Sequence, residues 1–97
     1  MMILITYDVN TIENDGNKRL RKVSKVCLDY GQRVQNSVFE CNIDPAQFVK
    51  IKHELSKIID LEKDSLRFYK LGKNWENRIE TIGKNETYNP EKEIFIL

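Results

Sequence analysis

The spacing of apolar residues along the chain switches between strand and helix periods, and the switches mark out its elements. Residues 2–9, MILITYDV, are apolar and β-branched with little polar alternation, which predicts a central strand buried on both faces. The turn-rich TIENDGN that follows predicts a loop. Beyond it, NKRLRKVSKVCLDYG places Leu20, Val23, Cys27 and Tyr30 on one helical stripe, with Gly31 where a C-cap glycine belongs.

Residues 32–43 alternate as a strand does, but the phase breaks midway. Val34 and Val38 share one parity, while Phe39, Cys41 and Ile43 take the other. The break predicts a bulge or a tight corner near Asn36 and Ser37, between a short second strand and a longer third. Asp44-Pro45 then offers an N-cap and a first-turn proline. Phe48, Ile51, Leu55 and Ile58 give the second helix its stripe, and His53 falls off it, on the surface. SLRFYKL at 65–71 predicts a fourth strand, ended by Gly72.

The order β-α-β-β-α-β predicts an α+β, ferredoxin-like fold, a four-stranded antiparallel sheet with two helices on one face. One domain is expected over 1–97, with its core in 1–72 and a C-terminal dimer- or partner-binding segment in 73–97. In that segment NWENRIETIG and EIFIL read as strands that a four-stranded core does not need. Such strands pair with an open sheet edge, the chain's own or a partner's, so a homodimer is expected.

Composition narrows the class. Hydrophobic residues make up 40% and charged residues 32%, which describes neither a disordered nor a membrane-spanning chain. The apolar run MMILI is too short to span a bilayer and lacks the flanks of a signal peptide, so the expected location is the cytoplasm, without membrane contact. Cys27 and Cys41 form no CxxC and are expected to be buried free thiols. A single histidine excludes chemistry built on paired histidines. Phosphate-cradling glycine loops and the aromatic signature of RNA-recognition modules are absent as well.

The net charge of +1 hides a cluster: Lys18, Arg19, Arg21, Lys22 and Lys25 fall within eight positions that hold no acid. Lys18, Lys22 and Lys25 point away from the apolar stripe and the two arginines flank it. The pattern suits either a nucleic-acid backbone or an ordinary solvated helix face. Arg33 adds a forked donor on the second strand. Asp8, ending the first strand, reads either as a loop cap or as a ligand for a divalent cation such as Mg²⁺, which needs only one or two carboxylates. Glu13 and Asp15 are further candidate ligands in the loop. One Asp8 from each of two identical chains would supply a pair.

YDVN, KRLRKVSK, YGQRVQNSVFE and DSLRFYKLG, in this order and spacing, make the whole chain resemble the CRISPR-associated protein two family, the small partner of the CRISPR integrase in spacer acquisition. The resemblance implies a ferredoxin-like dimer with the C-terminal strand laid on the partner's sheet. It also implies a metal-dependent endonuclease acting on single-stranded RNA or double-stranded DNA. The family's metal-site aspartate matches Asp8, preceded by Tyr7, and its basic and aromatic functional positions match Arg19, Arg21, Arg33 and Phe39. Asp8, Tyr7 and Phe39 are thus the expected catalytic positions. The same resemblance admits a second role, that of a non-catalytic adaptor bridging integrase dimers and holding spacer-precursor DNA.

Overall fold

The computed structural model describes residues 1–10, 15–71 and 79–84. Its elements are β1 (Met2–Asp8), α1 (Asp15–Leu28), β2 (Gly31–Gln35), β3 (Val38–Asn42), α2 (Pro45–Ile58), β4 (Ser65–Lys70) and β5 (Ile79–Gly83). The strands form one sheet in the order β2-β3-β1-β4-β5, and every neighbouring pair is antiparallel. The first four strands and two helices make the expected ferredoxin-like unit. The strand foreseen in NWENRIETIG takes the chain's own open edge, beside β4. EIFIL and Gly72 lie outside the described residues.

β1 corrects one expectation. Ile3, Ile5 and Tyr7 are buried, whereas Met2, Leu4 and Thr6 are half-buried. The strand alternates because the helices cover only one face of the sheet. On that face Ile3, Ile5, Phe39, Cys41, Leu66 and Phe68 meet Val23 and Cys27 from α1 and Phe48, Ile51 and Leu55 from α2. Phe48 and Phe68 pack edge to face with centroids 5.5 Å apart. Ile59 is buried, while Ile58, on the predicted stripe, is only half-buried. His53 is exposed, and both cysteines are free and buried, as expected.

α1 also departs from expectation at both ends. Asp15 is its first residue rather than part of a loop, and the helix stops at Leu28, short of Gly31. Gly31 instead opens β2, where a Cβ would come within 2.0 Å of the Glu40 carbonyl oxygen. That glycine serves the close pairing of two strands, not a helix cap. α2 starts as predicted: the Asp44 carboxylate accepts from the Gln47 N–H at 2.7 Å, and the Gln47 side chain accepts from the Asp44 N–H at 3.0 Å. A reciprocal cap of this kind is worth about 1 kcal/mol. The phase break is a two-residue turn at Asn36-Ser37 with a register shift between Arg33 and Gln35.

β5 is held by charge. Glu80 pairs with Lys52 of α2 and Lys70 of β4, each at 3.0 Å. Both ammonium groups lie over the Phe48 ring, at 4.2 and 5.0 Å from its centroid. Burial works against ionisation of Glu80, but the two lysines outweigh it and hold its carboxyl below the usual range. Among the described residues no helix is long and apolar enough to cross a membrane.

Candidate nucleic-acid and metal site

The inward parity of β1 sends the Tyr7 side chain into the protein, where a phenol needs a hydrogen-bond partner. It finds Asp64, the residue before β4, whose side chain is fully buried. Asp64 Oδ2 accepts from the Tyr7 hydroxyl, from Arg19 Nε at 2.7 Å and from the Asp60 N–H at 3.0 Å. Its Oδ1 accepts from the Asn10 N–H at 3.0 Å and from Arg19 Nη2 at 3.2 Å. Burial alone would raise the carboxyl's pKa. The bonds from Arg19, Tyr7 and the two backbone donors overcome that and lower it. Burial, followed by the bond to Asp64, raises the Tyr7 pKa, so the phenol stays protonated.

Asp64 is anchored through its backbone too. Its carbonyl accepts from the Lys84 N–H at 2.6 Å, and its N–H donates to the Asp60 carbonyl at 2.8 Å. Gly83 has φ +101°, and a Cβ there would lie 2.3 Å from the Asp64 carbonyl oxygen. The end of β5 therefore closes over the same residue. Sequence reasoning assigned Asp64 no role, although the inward parity of Tyr7 signalled that a buried acceptor had to exist.

Asp8 has the opposite parity and is exposed on the open face of the sheet, directly across from Ser65 in β4. It lines a hollow of about 300 Å³ with Thr6, Tyr7, Ser37, Ser65 and Arg67. A second hollow of about 250 Å³ continues past it, lined by Val9, Asn10, Lys63, Ser65, Arg67 and Lys84. The Ser65 hydroxyl is buried at the atom and has no hydrogen-bond partner among the described residues. An unpartnered hydroxyl beside an exposed carboxylate suits a bound polar species, a hydrated cation included. Among the described residues no group of three or more His, Cys, Asp or Glu is placed to hold a metal. Lys63, Arg67 and Lys84 bring positive charge to the same hollows, and the sequence pattern did not reveal them because they are scattered along the chain.

The other expected site residues divide into two groups. Lys18, Arg21, Lys22 and Lys25 are exposed along α1 and form the basic face that the spacing predicted. Lys18 and Lys22 line a groove with Asp15, Arg19 and Ile58, between the two helices. Arg19, by contrast, turns inward: its side chain is 13% exposed, and Nη2 also donates to the Asn10 carbonyl at 3.3 Å. Arg33 is exposed on β2 with its guanidinium 5.4 Å from the centre of the Phe39 ring. Phe39 itself is wholly buried in the core, and Tyr7 is 2% exposed. Both expected catalytic rings are therefore covered within the single chain, the Phe39 ring lying beneath the Arg33 guanidinium. Glu13 lies outside the described residues.

A family model described as CRISPR associated protein Cas2 matches residues 1–79. The chain is 52% identical over 96 residues to the CRISPR-associated endoribonuclease Cas2 of Nitratidesulfovibrio vulgaris, covering 99% of this chain and 94% of that protein. It is 55% identical over 91 residues to the CRISPR-associated endonuclease Cas2 of Halalkalibacterium halodurans, covering 94% and 95%. Among solved structures, Streptococcus pyogenes Cas2 superposes with a TM-score of 0.72 at 66% identity, over 86% of this chain and all of that one.

Proposed function

This chain belongs to the CRISPR-associated Cas2 family, and we propose that it is a nuclease-type protein of spacer acquisition that acts on nucleic acid as a homodimer. The observation that carries this reading is the exposed Asp8 carboxylate, set in hollows lined by Ser65, Arg67, Lys63 and Lys84 on the open face of the sheet. Two copies related by a two-fold axis supply two such carboxylates. Mg²⁺ held there would activate water and offset charge on the phosphate. Arg67, Lys63 and Lys84 oppose a bare cation, so the site suits one that arrives with the phosphate it serves. Their charges would hold the backbone near Asp8, while Lys18, Arg21, Lys22 and Lys25, with Arg33, engage it further away.

A second reading has its own support. Among the described residues Asp8 belongs to no cluster of three or more His, Cys, Asp or Glu of the kind that a metal- and acid-assisted cleavage would draw on. That lack favours an architectural adaptor, a basic spacer that binds the CRISPR integrase and duplex DNA without cutting. The deciding experiment is Mg²⁺-dependent cleavage of labelled single-stranded RNA and double-stranded DNA by the wild type and Asp8→Asn. Cleavage that vanishes in the variant is expected, and the better-cut strand names the substrate. Absent cleavage, or equal cleavage by both proteins, leaves the adaptor.

A further inference from the structure

We infer that Asp64 is a positioning residue for Asp8, with Tyr7 and Arg19 as its two arms, so that Arg19 serves geometry rather than phosphate contact. The inference rests on the reading of Asp8 as the functional carboxylate. Asp64 grips the chain on both sides of it, through the Tyr7 hydroxyl and through the Asn10 N–H. Arg19 closes the bracket by donating to the Asn10 carbonyl while its Nε and Nη2 are both engaged with Asp64. The third side is the sheet, where Asp8 pairs with Ser65, the residue that follows Asp64.

One buried carboxylate therefore fixes residues 7 and 10 and, through the chain, the strand position opposite residue 8. A planar fork is needed at residue 19 to bond the carboxylate and the Asn10 carbonyl together, which a lysine's single ammonium does not reproduce. A carboxylate that works on a phosphate must be held to within about 0.5 Å, and a support of this kind provides that. The inward turn of Arg19 also removes it from the basic face of α1, leaving its exposed neighbours to meet a nucleic-acid backbone.

The test compares Arg19→Gln with Lys22→Gln, using labelled single-stranded RNA and double-stranded DNA across a salt series. A residue that contacts phosphate contributes about one unit to the slope of log affinity against log salt. Lys22→Gln is expected to lose that unit. Arg19→Gln is expected to keep the wild-type slope and bind within about twofold of wild type, while Mg²⁺-dependent kcat falls about 10- to 100-fold with KM unchanged. Asp64→Asn should show the same deficit, and the Arg19→Gln/Asp64→Asn double variant should be no worse than the poorer single, since the two act as a unit. A slope loss in Arg19→Gln equal to that of Lys22→Gln overturns the inference, as do multiplying deficits in the double variant.

Should the charge variants fail to fold, amide exchange decides. The Asn10 N–H is expected to be protected in the wild type and to exchange faster in Tyr7→Phe, which removes one hydroxyl. Unprotected exchange in the wild type overturns the inference. If the wild type cleaves neither probe, the nuclease reading fails, and the salt slopes and the Asn10 exchange still decide the role of Arg19 and Asp64.

Discussion

Replacing Asp64 by alanine removes a side chain that receives bonds from Tyr7, Asn10, Arg19 and Asp60. Two of the donors are backbone N–H groups, and each costs about 1–3 kcal/mol if left unpaired away from water. The third is a guanidinium, and breaking a buried ion pair from one side costs about 3–5 kcal/mol. These losses overlap, because water entering the space left by the carboxylate re-pairs some of the donors. The expected destabilisation is therefore about 3–5 kcal/mol, against a total of about 5–15 kcal/mol for a domain of this size. Urea unfolding followed by circular dichroism, at one protomer concentration because the proposed self-association would add stability, should show a lower midpoint at unchanged slope. The melting temperature should fall by roughly 12–40 °C. Tyr7→Phe, which leaves the other donors in place, should cost about 1 kcal/mol. An Asp64→Ala protein within 1 kcal/mol of wild type would refute the reasoning, because the carboxylate would then organise nothing.

Three further outcomes follow from the same neighbourhood and the core. Gly83→Ala combines a φ of +101° with a Cβ placed 2.3 Å from the Asp64 carbonyl oxygen, so its urea midpoint should fall by the equivalent of about 1–3 kcal/mol, and an unchanged midpoint would contradict the contact. Asp64 has a lowered pKa, so its contribution is complete above the ordinary value of 3.8 and is lost as pH falls below it; stability measured against pH should drop more steeply in the wild type than in Asp64→Asn in that range. Burial pushes the Cys27 thiol up, and burial with the nearby Glu40 charge pushes Cys41 to about 11, so a thiol reagent at pH 8 should label the native protein slowly and faster as urea unfolds it. Fast labelling of the native protein would show that the core is open.

The fold was legible where a local pattern had one physical solution. The phase break between Val34 and Phe39 had to be a bulge or a tight corner, and the structure has the turn at Asn36-Ser37 with a register shift just before it. Asp44, Pro45 and Gln47 encode a helix start within four residues, and the structure forms it. Legibility failed where the answer depended on a distant partner. Gly31 looked like a helix cap because the preceding stripe was in view and Glu40 was not. Arg19 looked like a member of the basic face because the helical stripe of α1 was visible, while the acceptor lay 45 residues downstream. Asp64 was the hardest to read. An acid before a strand is ordinary turn chemistry, and only the tertiary meeting of β1, α1 and β4 turns it into a buried hub.

The alternation of β1 separates two jobs that the sequence ran together. Its inward residues, Ile3, Ile5 and Tyr7, build the core and the Asp64 hub; its outward residues, Leu4, Thr6 and Asp8, belong to the open face. The basic residues of α1 stand on the helix-covered side, whereas Arg67 and Lys84 lie beside Asp8. The sheet thus stands between the charge that suits long-range capture of a nucleic acid and the carboxylate proposed to act on it. On the proposed function, holding and cutting would therefore be separable by mutation. On the same proposal, Lys18 and Lys22 variants would bear on capture in either role, and Asp8→Asn on cleavage. A protein with this layout can act as an adaptor through one face even if the other never turns over a substrate.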